Sequence, residues 1–187
     1  DANDATTASG SLILPSSGTK TVTADSITLG FISGGGSGVT TGTLTLGGGT
    51  TTINVDTFQV GGDKAVGNVT IASGGTLNLS GNVNTATDLF IGDNNAPLSG
   101  TNTAPTISTV NLTGGSFLAT LDELVVGRHS LLGGSGKGRL IMDAGTVTAN
   151  SVALAVDAGT APAGTTGTID QRGGTITVSG AVTNGAG

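Results

Sequence analysis

Twelve acids, six Lys or Arg and a single histidine are the charged groups of a 187-residue chain that has no cysteine and no tyrosine. Any chemistry must therefore come from bringing a few of them together. His129 stands in GRHSLLGGSGKGR (127–139), beside Arg128, Lys137 and Arg139. Cations so spaced suit an anion or a sugar acid, because guanidinium and ammonium groups make strong charge-assisted hydrogen bonds to carboxylates. The plainer reading, a solvated glycine-rich loop with a few positive charges, is the one we adopt. One histidine supports no defensible serine–histidine–acid relay. Acids also recur at Asp56, Asp88 and Asp122/Glu123. Stacked, they would make a ladder for Ca²⁺, a hard cation that takes six to eight oxygen ligands. More often such acids cap turns, since Asp bonds local backbone there. The glycine–aspartate calcium signature GGxGxDxUx is absent, and GGDKAVG (61–67) and GDNNAP (92–97) are weak echoes of it. The expectation is no catalytic residue and no resident cofactor, with Ca²⁺ at Asp56, Asp88, Asp122 and Glu123 as the weak metal candidate.

Composition narrows the function classes further. Glycine supplies 35 residues, proline four and phenylalanine four, and tryptophan is absent. A glycine content this far above the usual ~7%, without a strict three-residue period, argues for many tight turns rather than collagen. A slightly positive mean hydropathy opposes disorder, which goes with low hydrophobicity and high net charge. The net charge of −6 leaves no basic footprint for nucleic acid. No run approaches the ~18 apolar residues of a membrane helix, so no membrane insertion is expected. The opening DANDATTASG lacks a charged and then apolar leader, which reads as a mature or trimmed chain.

The elements that would position these residues repeat. SGGTLNLSG (73–81) returns as RGGTITVSG (172–180). Between and before them run three segment types in fixed order. The first is SITLG (26–30), TFQVG (57–61), DLFIG (88–92), DELVVG (122–127) and ALAVD (153–157), the last with Asp157 where glycine is expected. The second is GTLTL (42–46), GNVTI (67–71), STVNL (108–112), GRLIM (138–142) and GTIDQ (167–171). The third is GGTTTINV (48–55), GGTLNL (74–79), GGSFLA (114–119), AGTVTA (144–149) and GGTITV (173–178). Each alternates apolar and polar residues, the mark of a half-buried strand, and a period of roughly 30 residues falls among the solenoids. The expected fold is all-β: a right-handed parallel β-helix (β-solenoid) of about five three-stranded coils of roughly 30 residues, with three parallel sheets around a narrow core. In the fifth coil Leu154 and Val156 would point inward.

GTLTLGGGTTTIN and GGTLNLSGN resemble the autotransporter-associated β-strand repeats of bacterial passenger domains, and repeats in large secreted surface proteins. The resemblance spans most of residues 25–180. It implies a parallel β-helix exported to the cell surface, with its signal peptide removed, and it carries over no catalytic residues.

Residues 1–24 read as a partial coil or connecting strand, 25–180 as the solenoid, and 181–187 as the start of a further coil. Unpaired strands at either end would be templates for another chain. Self-assembly through Leu12, Ile13, Leu14 and Val22 at one end and Ile176 and Val178 at the other is therefore expected. Phe90, outward between Leu89 and Ile91, is a candidate lateral contact. Asn68, Asn78 and Asn111 begin N-x-[ST] sequons, relevant in a glycosylating secretory route. The expected function is a non-enzymatic extracellular subunit of a filament, surface layer or stalk, a homopolymer that contacts cell-surface polysaccharide. The alternatives are an adhesin or carbohydrate-binding rod, and a polysaccharide lyase or hydrolase, which would usually need two facing carboxylates.

Overall fold

The structure is a computed structural model that describes residues 8–31, 40–63, 65–94, 107–129, 136–157 and 164–186. Among these residues the chain is all-β. Its strands are β1 (Ala8–Ile13), β2 (Thr19–Leu29), β3 (Thr40–Leu46), β4 (Thr50–Gly62), β5 (Val66–Ile71), β6 (Thr76–Ser80), β7 (Thr87–Asn94), β8 (Ser108–Leu112), β9 (Ser116–His129), β10 (Lys137–Met142), β11 (Gly145–Asp157), β12 (Thr166–Gln171), β13 (Thr175–Val178) and β14 (Val182–Ala186).

Parallel pairing stacks these strands into a β-solenoid of about five turns. One sheet runs β1-β3-β5-β8-β10-β12. The other runs β13-β11-β9-β6-β4-β2, with β7 pairing β4 and β9, and β14 pairing β11. Alternation dictates the core: Leu44, Val69, Val110, Leu140 and Ile169 form one inward column. Leu29, Val60, Ile91, Val126 and Leu154 form another. Leu46, Val60, Ile91, Leu112, Val126 and Met142 are fully buried. The stacking expected from the period is present, since Val60 pairs with Ile91 and Leu112 with Met142. Burying each such side chain contributes about 1.5–3 kcal/mol.

Two details differ from the sequence expectation. Hydrogen bonding makes two sheets rather than three, because a third segment runs on into the next first segment as one long strand, as in β4 and β9. The corner survives as a local bend. Pairing skips Asp25 and Asp56 between Ala24–Val55 and Ser26–Thr57, and Asp122 and Asn150 between Leu121–Ala149 and Glu123–Ser151. The inward alternation slips one residue there, from Ile53 and Val55 to Phe58 and Val60. Residues 81–86 break this strand into β6 and β7, and residues 179–181 separate β13 from β14.

The second correction concerns the fifth coil, which is shifted by two residues. Val152 and Leu154, not Leu154 and Val156, continue the column of Leu124 and Val126. Ala155 therefore stands where the other coils place Gly30, Gly61, Gly92 and Gly127, and it shares their left-handed φ, at 52° against 69–76°. The glycines have a second reason to be there. At this neck the end of each first segment approaches the start of a second segment. A Cβ on Gly127 would overlap the Thr166 carbonyl, and one on Gly167 would overlap that of Val126.

Candidate functional site

Asp56 shows what the corner acids do. Its Oδ1 accepts backbone N–H bonds from Asn82 at 2.9 Å, Val83 at 3.0 Å and Asn84 at 2.9 Å. The carboxylate thus closes the turn that separates β6 from β7. Asn82 donates to Asp25 at 3.0 Å, Asn150 donates to Asp122, and Ser179 donates to Asn150 at 3.1 Å. Asp88 lies beside this ladder at the start of β7. Burial lifts its carboxyl above the usual 3.8, and repulsion from Asp122 adds to the effect. Glu123 contributes a backbone hydrogen bond to Asp88 that opposes the rise. Among the described residues no group of three or more His, Asp or Glu is placed to hold a metal ion. Asp56 spends carboxylate lone pairs on the turn backbone, and Asp122 on the Asn150 amide.

The cationic run 127–139 is divided between the two sheets, and residues 130–135 lie outside the described ones. His129 ends β9 with no exposed surface, so the solvated loop expected for it is corrected: its Nδ1 lies 3.4 Å from Oδ1 of Asp157, its register partner on β11. Arg128 grips Asp93 with two bonds, Nε to Oδ1 at 2.9 Å and Nη2 to Oδ2 at 2.6 Å. This pairing strengthens the guanidinium's hold on its proton. The same guanidinium stands 4.5 Å from the centroid of the Phe90 ring, a cation–π geometry, so one face of Phe90 is occupied from within the chain. Arg139 instead points out from β10 to Asp170 at 2.9 Å, which also pairs with Arg172 at 2.8 Å. Hydrogen bonds from Arg172 and Arg139 hold the Asp170 carboxyl below its ordinary value. Apart from the Asp170–Arg172 pair, which lies within one coil, these contacts tie neighbouring coils together. Sequence reading missed the cross-coil pairs because each joins residues about one period apart, and only the register of the strand ends reveals the partner.

The two ends of the stack are the other distinctive surfaces. At the β1–β2 end Leu12 is 50% exposed, Ile13 70% and Phe31 54%. Clefts of about 520 and 310 Å³ flank β1, the larger lined by Ile13, Leu14, Leu46 and Ile71, the smaller by Leu12, Leu29 and Phe31. Leu14 and Val22 are partly buried against the core. At the opposite end Ile176 and Val178 are half-buried and Val182 is 63% exposed. Polar side chains interrupt the apolar columns at both ends. Lys20 continues the column of Thr51, Leu77 and Phe117, and its ammonium donates to the carbonyls of Pro15 and Gly48. Gln171 continues Leu112 and Met142 and donates to the Gly174 carbonyl at 2.9 Å. Asn184 continues Leu154.

Of the sequon asparagines, Asn111 accepts from the Thr113 backbone and hydroxyl, and Asn78 reaches Thr52; Asn68 lies on β5, half-buried. Compared with known proteins, the chain matches no family model, no curated protein and no solved structure.

Proposed function

We propose that the protein is a non-enzymatic structural subunit of the bacterial exterior, a rigid β-solenoid that stacks head to tail into a filament, surface layer or stalk. One observation carries this reading: the two ends continue the same columns. Tracing the ladders, Ile169 is the column equivalent of Leu12, and Val182 that of Ile27. An end that meets the opposite end of a neighbour is a heterologous contact, which propagates into an open filament unless rotation closes a ring. The Arg128–Asp93 and Arg139–Asp170 ion pairs and the Asp56 turn cap support a scaffold role, since each links adjacent coils. The resemblance of its repeats to those of exported passenger domains supports a cell-surface location, where polysaccharide is the partner at hand.

Negative-stain imaging and sedimentation of the purified chain test the proposal. The expected result is concentration-dependent rods longer than one chain, with no depolymerisation of acidic polysaccharides. A monodisperse single-chain rod at every concentration would overturn the assembly, and lyase or hydrolase turnover would overturn the non-enzymatic role.

A further inference from the structure

Resting on that reading, the geometry points to the specific contact that sets the register of the joint: Lys20 of one copy meeting Gln171 of the next. The occupant of the β1–β2 edge is a second copy of this chain, because its β12–β14 edge extends the stacked interface already repeated between coils. In that continued register Ile176 meets Val22 and Val178 meets Ala24. The polar intrusions fall together rather than scattering. Gln171 lies under Leu14, and Gly174, whose carbonyl holds the Gln171 amide, lies under Lys20.

The chemistry of the two groups is complementary. Lys20 gives two of its three ammonium hydrogens to the Pro15 and Gly48 carbonyls and retains one donor at this corner. Gln171 gives one amide hydrogen to Gly174 and retains its carbonyl oxygen as an acceptor. An ammonium-to-amide bond satisfies both when the edges close. Docking two residues out of register along the strands would place Lys20 over Ile176, where its remaining donor would lack a partner and burying it is costly. Buried polar pairs are best attested as devices that fix register, and an inward-pointing charge also discourages unrelated strands from adding to an edge. The contact therefore selects this chain over other strands and selects one register over its neighbours.

The test uses the whole chain and its Lys20→Met, Gln171→Leu, double and Gln171→Glu variants, read by sedimentation equilibrium, with circular dichroism to verify folding. Each neutral single variant is expected to weaken association about tenfold, and the double variant to lose much less than the product of the two. Gln171→Glu, which faces Lys20 with a full charge, should tighten association about tenfold at low salt and lose that gain at high salt. This arm stands if Lys20→Met loosens its own coil. Filaments whose association is unchanged in all variants would overturn the Lys20–Gln171 contact and leave head-to-tail stacking intact. A wild-type monomer that polymerises only as Gln171→Glu would overturn the assembly reading and support the contact. A monomer in every form would overturn both.

Discussion

Replacing Gly127 by alanine isolates what the glycine neck requires. Gly127 has φ 72°, and Gly74, at the turn between second and third segments, has φ 76°. Alanine pays nearly the same backbone penalty at both, about 1–2 kcal/mol for the left-handed conformation, partly offset by about 0.4–1 kcal/mol from the less flexible unfolded chain. Their surroundings differ. A Cβ at Gly74 meets nothing within 4 Å, whereas at Gly127 it falls 2.6 Å from the Thr166 carbonyl carbon and 3.0 Å from the Gly167 nitrogen. Ordinary carbon contacts lie at about 3.5–4.0 Å, so the next coil must move by roughly 1 Å. Those atoms are backbone and cannot swing away. Overpacking of this kind costs about 1–3 kcal/mol. Gly127→Ala should therefore lose about 2–4 kcal/mol and Gly74→Ala about 1 kcal/mol or less. Urea denaturation followed by far-ultraviolet circular dichroism measures both, provided the slopes agree. Equal losses within about 0.5 kcal/mol would refute the close approach as the reason for glycine at the neck.

The remaining predictions follow from the same contacts. Ala155→Gly relieves the left-handed backbone of the fifth coil and should raise stability by up to about 1 kcal/mol, seen as a higher melting midpoint. Asp93→Asn strips the charge partner from Arg128, whose side chain is 27% exposed against 5% for Asp93. A loss of about 2–4 kcal/mol is expected from leaving a largely buried guanidinium uncompensated, measured by the same denaturation. Asp88 should give stability a definite pH dependence. Its folded pKa lies above the unfolded 3.8, so the folded state binds the extra proton, and stability falls as pH rises through the interval between the two. Asp88→Asn should flatten that slope and stabilise the fold at pH 7 but not at pH 3, in melting curves taken across that range. Asp170 works in the opposite sense. Its folded pKa is lowered by Arg172 and Arg139, so its contribution is present above the unfolded value and lost as pH falls through the folded one. Arg172→Gln should reduce the acid-induced loss in the same titration.

The coil period, the inward columns and the parallel stack were legible in the chain itself. Alternation in segments such as GTLTL and TFQVG assigns each side chain to a face, and equal spacing of copies leaves stacking as the arrangement that buries every apolar face together. What the tertiary structure alone decided lies at the corners and ends. Whether a third segment stops or bends into the next first segment depends on skipped residues such as Asp56 and Asn150, and a one-residue slip in alternation is invisible until neighbouring strands are in register. The fifth coil shows the same limit. ALAVD aligned on its last residue lacks a glycine, but the ladder places Ala155 beside Gly127 at the neck, where it takes the same left-handed φ. His129 is the clearest case. Its local sequence is glycine-rich and polar, yet strand pairing carries it into the interior beside Asp157. Local composition determines how a segment prefers to fold, whereas burial and charge pairing depend on which coil lies above and below it, a relation between residues about 30 positions apart.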